Sequence, residues 1–228
     1  MKIFFQRNRK LGLTLVEGLV VLAVIGFIAM IWLSDVNKRR TRGRRFACIN
    51  NLKQVGIGFR IYANDHPGKF PDYHITNEAW NYFQAAGNEI STPRILVCPS
   101  DTARLKQNTF PARDFENSSS SNNFSHPSHR NKSLSYFYGV DADETKPDML
   151  LAGDRNLSTN NKILNGWLIL KTNTPVRYTK DIHYHDYQSK SEEGNVVFAD
   201  ASVQRMTSGK LRVHLRLSTN QTQRLLLP

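Results

Sequence analysis

The sequence is short of three things. It holds two cysteines in 228 residues, Cys48 and Cys98, and they do not form a C-x-x-C pair. That excludes a disulfide-dense miniprotein and argues against a zinc ribbon or a dithiol redox motif. It has a single apolar run long enough to cross a bilayer, which excludes a multi-span membrane protein. It also has almost no acid in its first quarter, where residues 1–62 carry 12 basic side chains against Glu17 and Asp35, a balance of +10. The whole chain stands at +12, so residues 63–228, with the other 19 basic and 17 acidic groups, stand at only +2. A sequence pI of 9.9 ordinarily points to nucleic acid, but here the excess belongs to the first quarter. The rest is nearly neutral and polar. G-x-S-x-G, P-loop and H-E-x-x-H patterns are absent, and no internal repeat stands out. No catalytic centre is expected, and the chain is not read as an enzyme.

What is present begins with a short basic segment. Residues 1–12 carry Lys2, Arg7, Arg9 and Lys10. From Leu13 to Leu33 the chain reads LTLVEGLVVLAVIGFIAMIWL, with one charge; as a helix it would rise about 31 Å, the thickness of a hydrocarbon core. A secretory signal would have a shorter apolar stretch followed by a small-residue cleavage site. Here Asp35 and a basic run follow instead, so the plain reading is a single membrane anchor. Glu17 makes it more specific, because a carboxylate inside an apolar helix is costly unless neutralised or paired and marks function by default.

Gly12-Leu13-Thr14-Leu15-Val16-Glu17 resembles the start of type IV prepilins, including the pseudopilins of type II secretion, with Leu13 where Phe is usual. The resemblance implies an α+β, pilin-like fold, a long N-terminal helix packed on a small antiparallel β-sheet head. Residues 1–12 would be the leader, 13–33 the transmembrane and filament-core half of the helix, 34–64 its amphipathic half and 65–228 the head. It further implies cleavage after Gly12 by a prepilin peptidase, N-methylation of Leu13, and assembly through Glu17, which would meet the Leu13 amine of a neighbouring copy. The partners implied are that peptidase, an inner-membrane assembly platform, membrane lipid, and other copies or related pilins. The expected function is a structural subunit of a type II secretion pseudopilus or type IV pilus-like filament, single-pass in the inner membrane with its head in the periplasm. A DNA- or surface-binding pilin is the alternative. Gly18 and Gly26 are read as allowing close helix approach.

Lys38 to Arg45 places six cations in eight residues. The leader has only four, so charge alone would keep the run in the cytoplasm, whereas the resemblance implies an exported head. The run is read first as a collar on anionic lipid and second as a DNA contact; with the near-neutral head, nucleic acid is not an expected partner. Beyond it Cys48, Leu52, Val55, Phe59 and Tyr62 recur at helical spacing. Asp65-His66-Pro67-Gly68 supplies a stop, giving a helix to about Asn64, weakened by Gly56 and Gly58.

After Gly68, strands are expected at Arg94–Cys98, Leu134–Tyr138, Met149–Ala152, Gly166–Leu170 and Asn195–Ala199, with a hairpin turn at Asp200-Ala201. ILVCPSD (95–101), residues 135–157 and NVVFADASV (195–203) also resemble a many-copied subgroup of prepilin-like proteins, in which Asp-Gly usually forms that turn. Residues 117–131 are read as a polar loop, with His126 and His129 solvated. Cys48 and Cys98 are candidates for a disulfide closing a loop of about 50 residues, with two separate buried thiols as the alternative. His183-Tyr184-His185-Asp186 reads as a polar strand edge ahead of a transition-metal site, and Glu192-Glu193 as exposed. Asp141, Asp143 and Asp148 are weak calcium candidates. They lack EF-hand spacing, but major pseudopilins bind calcium in the head. Otherwise no cofactor is expected.

Overall fold

The computed structural model describes residues 14–72, 76–107, 112–116, 120–159, 162–179, 192–218 and 222–228. The chain divides into two units, residues 1–40 and 41–228. Helix α1 (Leu15–Asp65) contributes residues to both. Nothing in its 51 residues breaks it: there is no proline, and the first one after it, Pro67, lies beyond the last turn. Gly68, at φ 72°, reverses the chain and returns its N–H to the Ala63 carbonyl at 2.9 Å.

From Leu15 to Trp32 the side chains of α1 are almost all exposed, Leu15 at 80% and Trp32 at 75%. Leu15–Trp32 is long and apolar enough to cross a membrane. A Cβ at Gly18 or Gly26 would meet nothing within 4 Å. In the second unit the helix buries a stripe. Cys48, Leu52, Val55, Phe59 and Ala63 are completely inaccessible, each large side chain contributing roughly 1.5–3 kcal/mol of transfer free energy. Tyr62, expected in the stripe, is only half-buried and packs at its margin, with Ala63 in the buried position. The turn-to-turn drift of a 3.6-residue helix selects one over the other. Gly56 and Gly58 are contact points rather than weak spots, since a Cβ at Gly56 would collide with Val197 and one at Gly58 with Ile90.

The head is antiparallel throughout its main sheet. Its strands are β1 (Tyr136–Gly139), β2 (Leu150–Asp154), β5 (Gly166–Lys171), β7 (Glu193–Phe198), β8 (Val203–Thr207) and β9 (Thr222–Leu227), in the order β5-β9-β1-β2-β7-β8. A second sheet holds β3 (Leu157–Thr159), β4 (Lys162–Ile163) and β6 (Val176–Tyr178) in the order β4-β3-β6. Side chains alternate between two cores, as a pleat requires. Tyr136, Tyr138, Leu151, Val197 and Leu226 join the α1 stripe. Phe137, Leu150, Val196, Phe198, Leu225 and Leu227 turn to the opposite face. That face is covered by Leu211 and Leu215 of helix α5 (Ser208–Leu217) and by Leu157, Val176 and Tyr178 of the small sheet. With both faces covered, β1 and β2 are buried at every position. A side chain at Gly139 would drive its Cβ into the Leu150 carbonyl and part β1 from β2.

Four of the five expected strands are present, shifted by one to two residues. The fifth is corrected. Pro93–Leu96 is a 3-10 turn, with Pro93 opening it and the Thr92 hydroxyl accepting the Arg94 N–H. The proline fixes φ and lacks a ladder donor, and Cys98 therefore follows a turn, not a strand. Short helices α2 (Trp80–Ala85), α3 (Gly87–Ile90) and α4 (Thr102–Gln107) complete the α1 side. The hairpin turn stands where expected, and Ala201 holds φ 61°, a strain of about 1–2 kcal/mol for a residue with a Cβ. Its methyl is buried against Gly56, and its carbonyl accepts from Lys53 Nζ at 2.8 Å. The described part of the polar loop is anchored. Phe124 is fully buried against Phe115 and Trp80. His129, expected in solvent, is 4% exposed; one ring nitrogen meets the Ser133 hydroxyl at 3.1 Å and the other the Ser121 carbonyl at 2.8 Å.

Cys48 and Cys98 form a disulfide, joining the α1 stripe to the turn after Leu96. Its 50-residue span corresponds to about 4 kcal/mol in the chain-entropy model. Reduction is expected to lower the unfolding free energy of the detergent-solubilised chain by that amount, read from denaturant midpoints with and without reductant.

Candidate functional site

The first candidate is the start of α1. Gly12 and Leu13 lie outside the described residues. Thr14 and Glu17 form a reciprocal cap. The Thr14 backbone N–H and hydroxyl donate to Glu17 Oε2 at 2.8 and 2.9 Å, and the Glu17 N–H donates back to the Thr14 hydroxyl at 3.3 Å. This is the T-x-x-E capping box, which satisfies two of the donors orphaned at a helix start. The pattern stands in the sequence as Thr14-Leu15-Val16-Glu17, and reading Glu17 only as an intramembrane acid overlooked it. The carboxylate thus has a local task. It also lies at the helix end that carries partial positive charge. Among the described residues every hydrogen bond it accepts falls on Oε2. Glu17 is followed at once by the exposed apolar run Leu19 to Trp32.

The second candidate is a buried polar junction in the head, built from two segments that the sequence separates by about fifty residues. Asp101 is inaccessible and takes the Arg155 guanidinium on both oxygens, Nε to Oδ2 at 2.8 Å and Nη2 to Oδ1 at 3.1 Å. The same Oδ1 accepts the Arg104 N–H at 3.1 Å at the start of α4. Asp154 Oδ2 accepts from the Asn195 N–H at 2.7 Å and its side-chain amide at 2.9 Å. Asn156 donates to the Thr179 and Glu193 carbonyls at 2.9 and 3.1 Å. Three consecutive residues, Asp154-Arg155-Asn156, therefore tie β2 to β7, to the Cys98 turn and to the chain flanking β6. Arg104 donates to the Pro228 carbonyl at 3.2 Å. Burial, then the neighbouring Arg155 charge, pushes its guanidinium down to about 10 against the pull of Asp101. Burial also pushes the Tyr136, Tyr138 and Tyr178 hydroxyls up, so all three keep their protons at neutral pH. The chemistry of the junction is that of a staple: fork-on-fork pairing in a dry site fixes geometry. Both segments are visible in the sequence, but nothing there names their partners. Two charged residues after a buried strand are a signal that something must pair with them, though not with what.

The calcium candidates are not gathered. Asp141 forks onto Arg224, with its Oδ1 taking Nη2 at 2.6 Å and its Oδ2 the backbone N–H at 2.7 Å. Asp143 Oδ1 accepts the Thr145 N–H at 2.8 Å and hydroxyl at 2.7 Å, and those bonds hold its carboxyl below the usual range. Asp148 Oδ2 accepts from Ser218 at 2.9 Å. Each acid has its own protein donor, and among the described residues no three His, Cys, Asp or Glu side chains converge in a way that would hold a metal. Residues 183–186 lie outside the described residues. Glu193, expected in solvent, is largely buried and pairs with Arg205, and half-buried Glu192 accepts from Ser208.

Comparison with family models, with curated proteins and with solved structures finds no match to this chain. The functional reading therefore rests on the residues themselves.

Proposed function

We propose that the chain is a prepilin-like structural subunit of a type II secretion pseudopilus or a related type IV filament. A prepilin peptidase would cut it after Gly12 and methylate the Leu13 amine. It would reside in the inner membrane on a single span with its head in the periplasm until an assembly platform passes it into a filament of like subunits. One observation carries the reading: Glu17, the lone acid of an exposed apolar run, occupies the first turn of a helix that continues unbroken for 51 residues. The order of one long apolar-to-amphipathic helix followed by an antiparallel sheet is compatible with a pilin-like architecture.

The chemistry follows from burial. A new amine and a carboxylate, each at the end of an apolar helix, are poorly solvated alone. When they pair between copies, each removes the other's desolvation penalty. Pairing to a neighbour displaced along the axis fixes stagger and polarity, while Leu19 to Trp32 supply the apolar contact surface. Co-expressed with a prepilin peptidase and an assembly platform, the chain is expected in the filament fraction sheared from cells. Quantitative retention in membranes with the platform active would count against the reading.

A further inference from the structure

We infer that the head carries an anion-selective groove that binds an acidic peptide segment of a partner protein through an apolar floor and a cationic rim. The groove has a volume of about 890 Å³ and is open to solvent. Val97, Pro99 and Leu105 give it an apolar lining, which we call its floor, and Arg44, Arg94 and Lys106 a cationic one. The cations come from three separate elements: α1, the 3-10 turn after Thr92, and α4. Among the described residues no acidic side chain lines the groove and no ion pair engages any of the three cations. The nearest carboxylate in sequence, Asp101, is spent inward on Arg155.

The position of the groove is fixed from beneath. The Cys48–Cys98 bond and the Asp101–Arg155 pair hold the segment 97–102, which contributes Val97, Pro99 and Thr102 to the lining, and the Asn51 amide donates to the Val97 carbonyl at 3.5 Å. A rigid wall with free cations is preorganised for an anion, because little side-chain or loop ordering remains to be lost on binding. The floor sets the class of ligand. Inorganic phosphate would meet the cations but leave Val97, Pro99 and half-exposed Leu105 uncovered, whereas a peptide with an apolar side chain between carboxylates covers both. A bilayer is the other source of negative charge, but a membrane plane meets a concave groove only at its rim and leaves the floor wet. Two of the three cations, Arg94 and Lys106, lie outside the run Lys38 to Arg45, so the site does not rest on that run alone. It is also independent of cleavage and polymerisation.

The test uses the full-length chain in phosphatidylcholine nanodiscs and a fluorescent octapeptide of alternating Glu and Leu, with the Gln-and-Leu octapeptide as control. The Glu peptide is expected to bind with an affinity that weakens as salt rises, and at least about tenfold more tightly than the Gln peptide. R94E/K106E is expected to lose at least about tenfold of that affinity, and L105S to weaken both peptides, with the denaturation midpoint unchanged because all three positions are at the surface. Equal binding of the two peptides, or unchanged binding by R94E/K106E, overturns the proposal. So does loss of peptide binding when phosphatidylglycerol replaces phosphatidylcholine, which would make the groove a lipid site.

Discussion

Glu17→Gln is expected to leave the protein inserted, folded and cleaved but unable to polymerise, with filament yield down by roughly a hundredfold or more, in line with the loss of an intramembrane charge partner. The substitution is informative because of the local structure. Glutamine serves in a capping box as glutamate does, so the bonds between Thr14 and position 17 survive and the helix keeps its first turn. Only the charge goes. Glu17→Leu removes the cap as well, and is expected to fray the start of α1 in addition to blocking assembly. Thr14→Ala gives the converse: the cap is broken while the acid stays. If the acid acts by charge, Thr14→Ala filaments form at reduced yield and Glu17→Gln filaments do not form. If the acid acts only as a helix cap, the order reverses, with Glu17→Gln close to wild type. The readout is the sheared filament fraction, normalised to cleaved subunit in the membrane.

The second large effect is expected in the head. Asp101→Asn keeps a residue that caps α4 well and removes the charge from a pair in which Asp101 is fully buried and the Arg155 side chain is 10% exposed. The guanidinium is then left in a dry site with no counter-charge, which costs about 3–5 kcal/mol when one member of such a pair is deleted. For a head of this size that is a large share of total stability. Asp101→Asn combined with Arg155→Met is expected to recover most of the loss, since an apolar side chain of similar length needs no partner there. Urea denaturation of the detergent-solubilised chain, disulfide intact, measures both. A single-variant loss under about 1 kcal/mol would mean that the pair behaves as a surface salt bridge and that the junction is not a staple.

How far the sequence anticipates these features differs by element. The spine is legible because helix signals are local: the 3–4 spacing of its apolar residues, the missing proline, and the Pro67-Gly68 stop. The capping box is equally local. The strands β1, β2, β5 and β7 are found as apolar runs, yet the same criterion misassigns residues 94–98, because a short apolar run carries no period to separate strand from turn. Pro93 after Thr92 was the cue against a strand. The second layer escapes notice. Leu211 and Leu215 sit one turn apart among four basic or histidine side chains, with Val213 and Leu217 exposed off the buried face, and β3, β4 and β6 are too short for an alternation to show. The loop around Phe124 is hidden by its serines and asparagines, which outnumber the single ring that anchors it. Long-range partners, Asp101 with Arg155 or Asp154 with Asn195, follow from topology and could not be paired from spacing.

The proposed assembly requires a cut between Gly12 and Leu13, which would free the Leu13 amine to meet Glu17 of the next copy. Intact mass of the protein extracted from native membranes decides it directly. A species that starts at Leu13 and is one methyl group heavier than that segment alone is expected. A species that retains Met1 through Gly12 under native expression would contradict it.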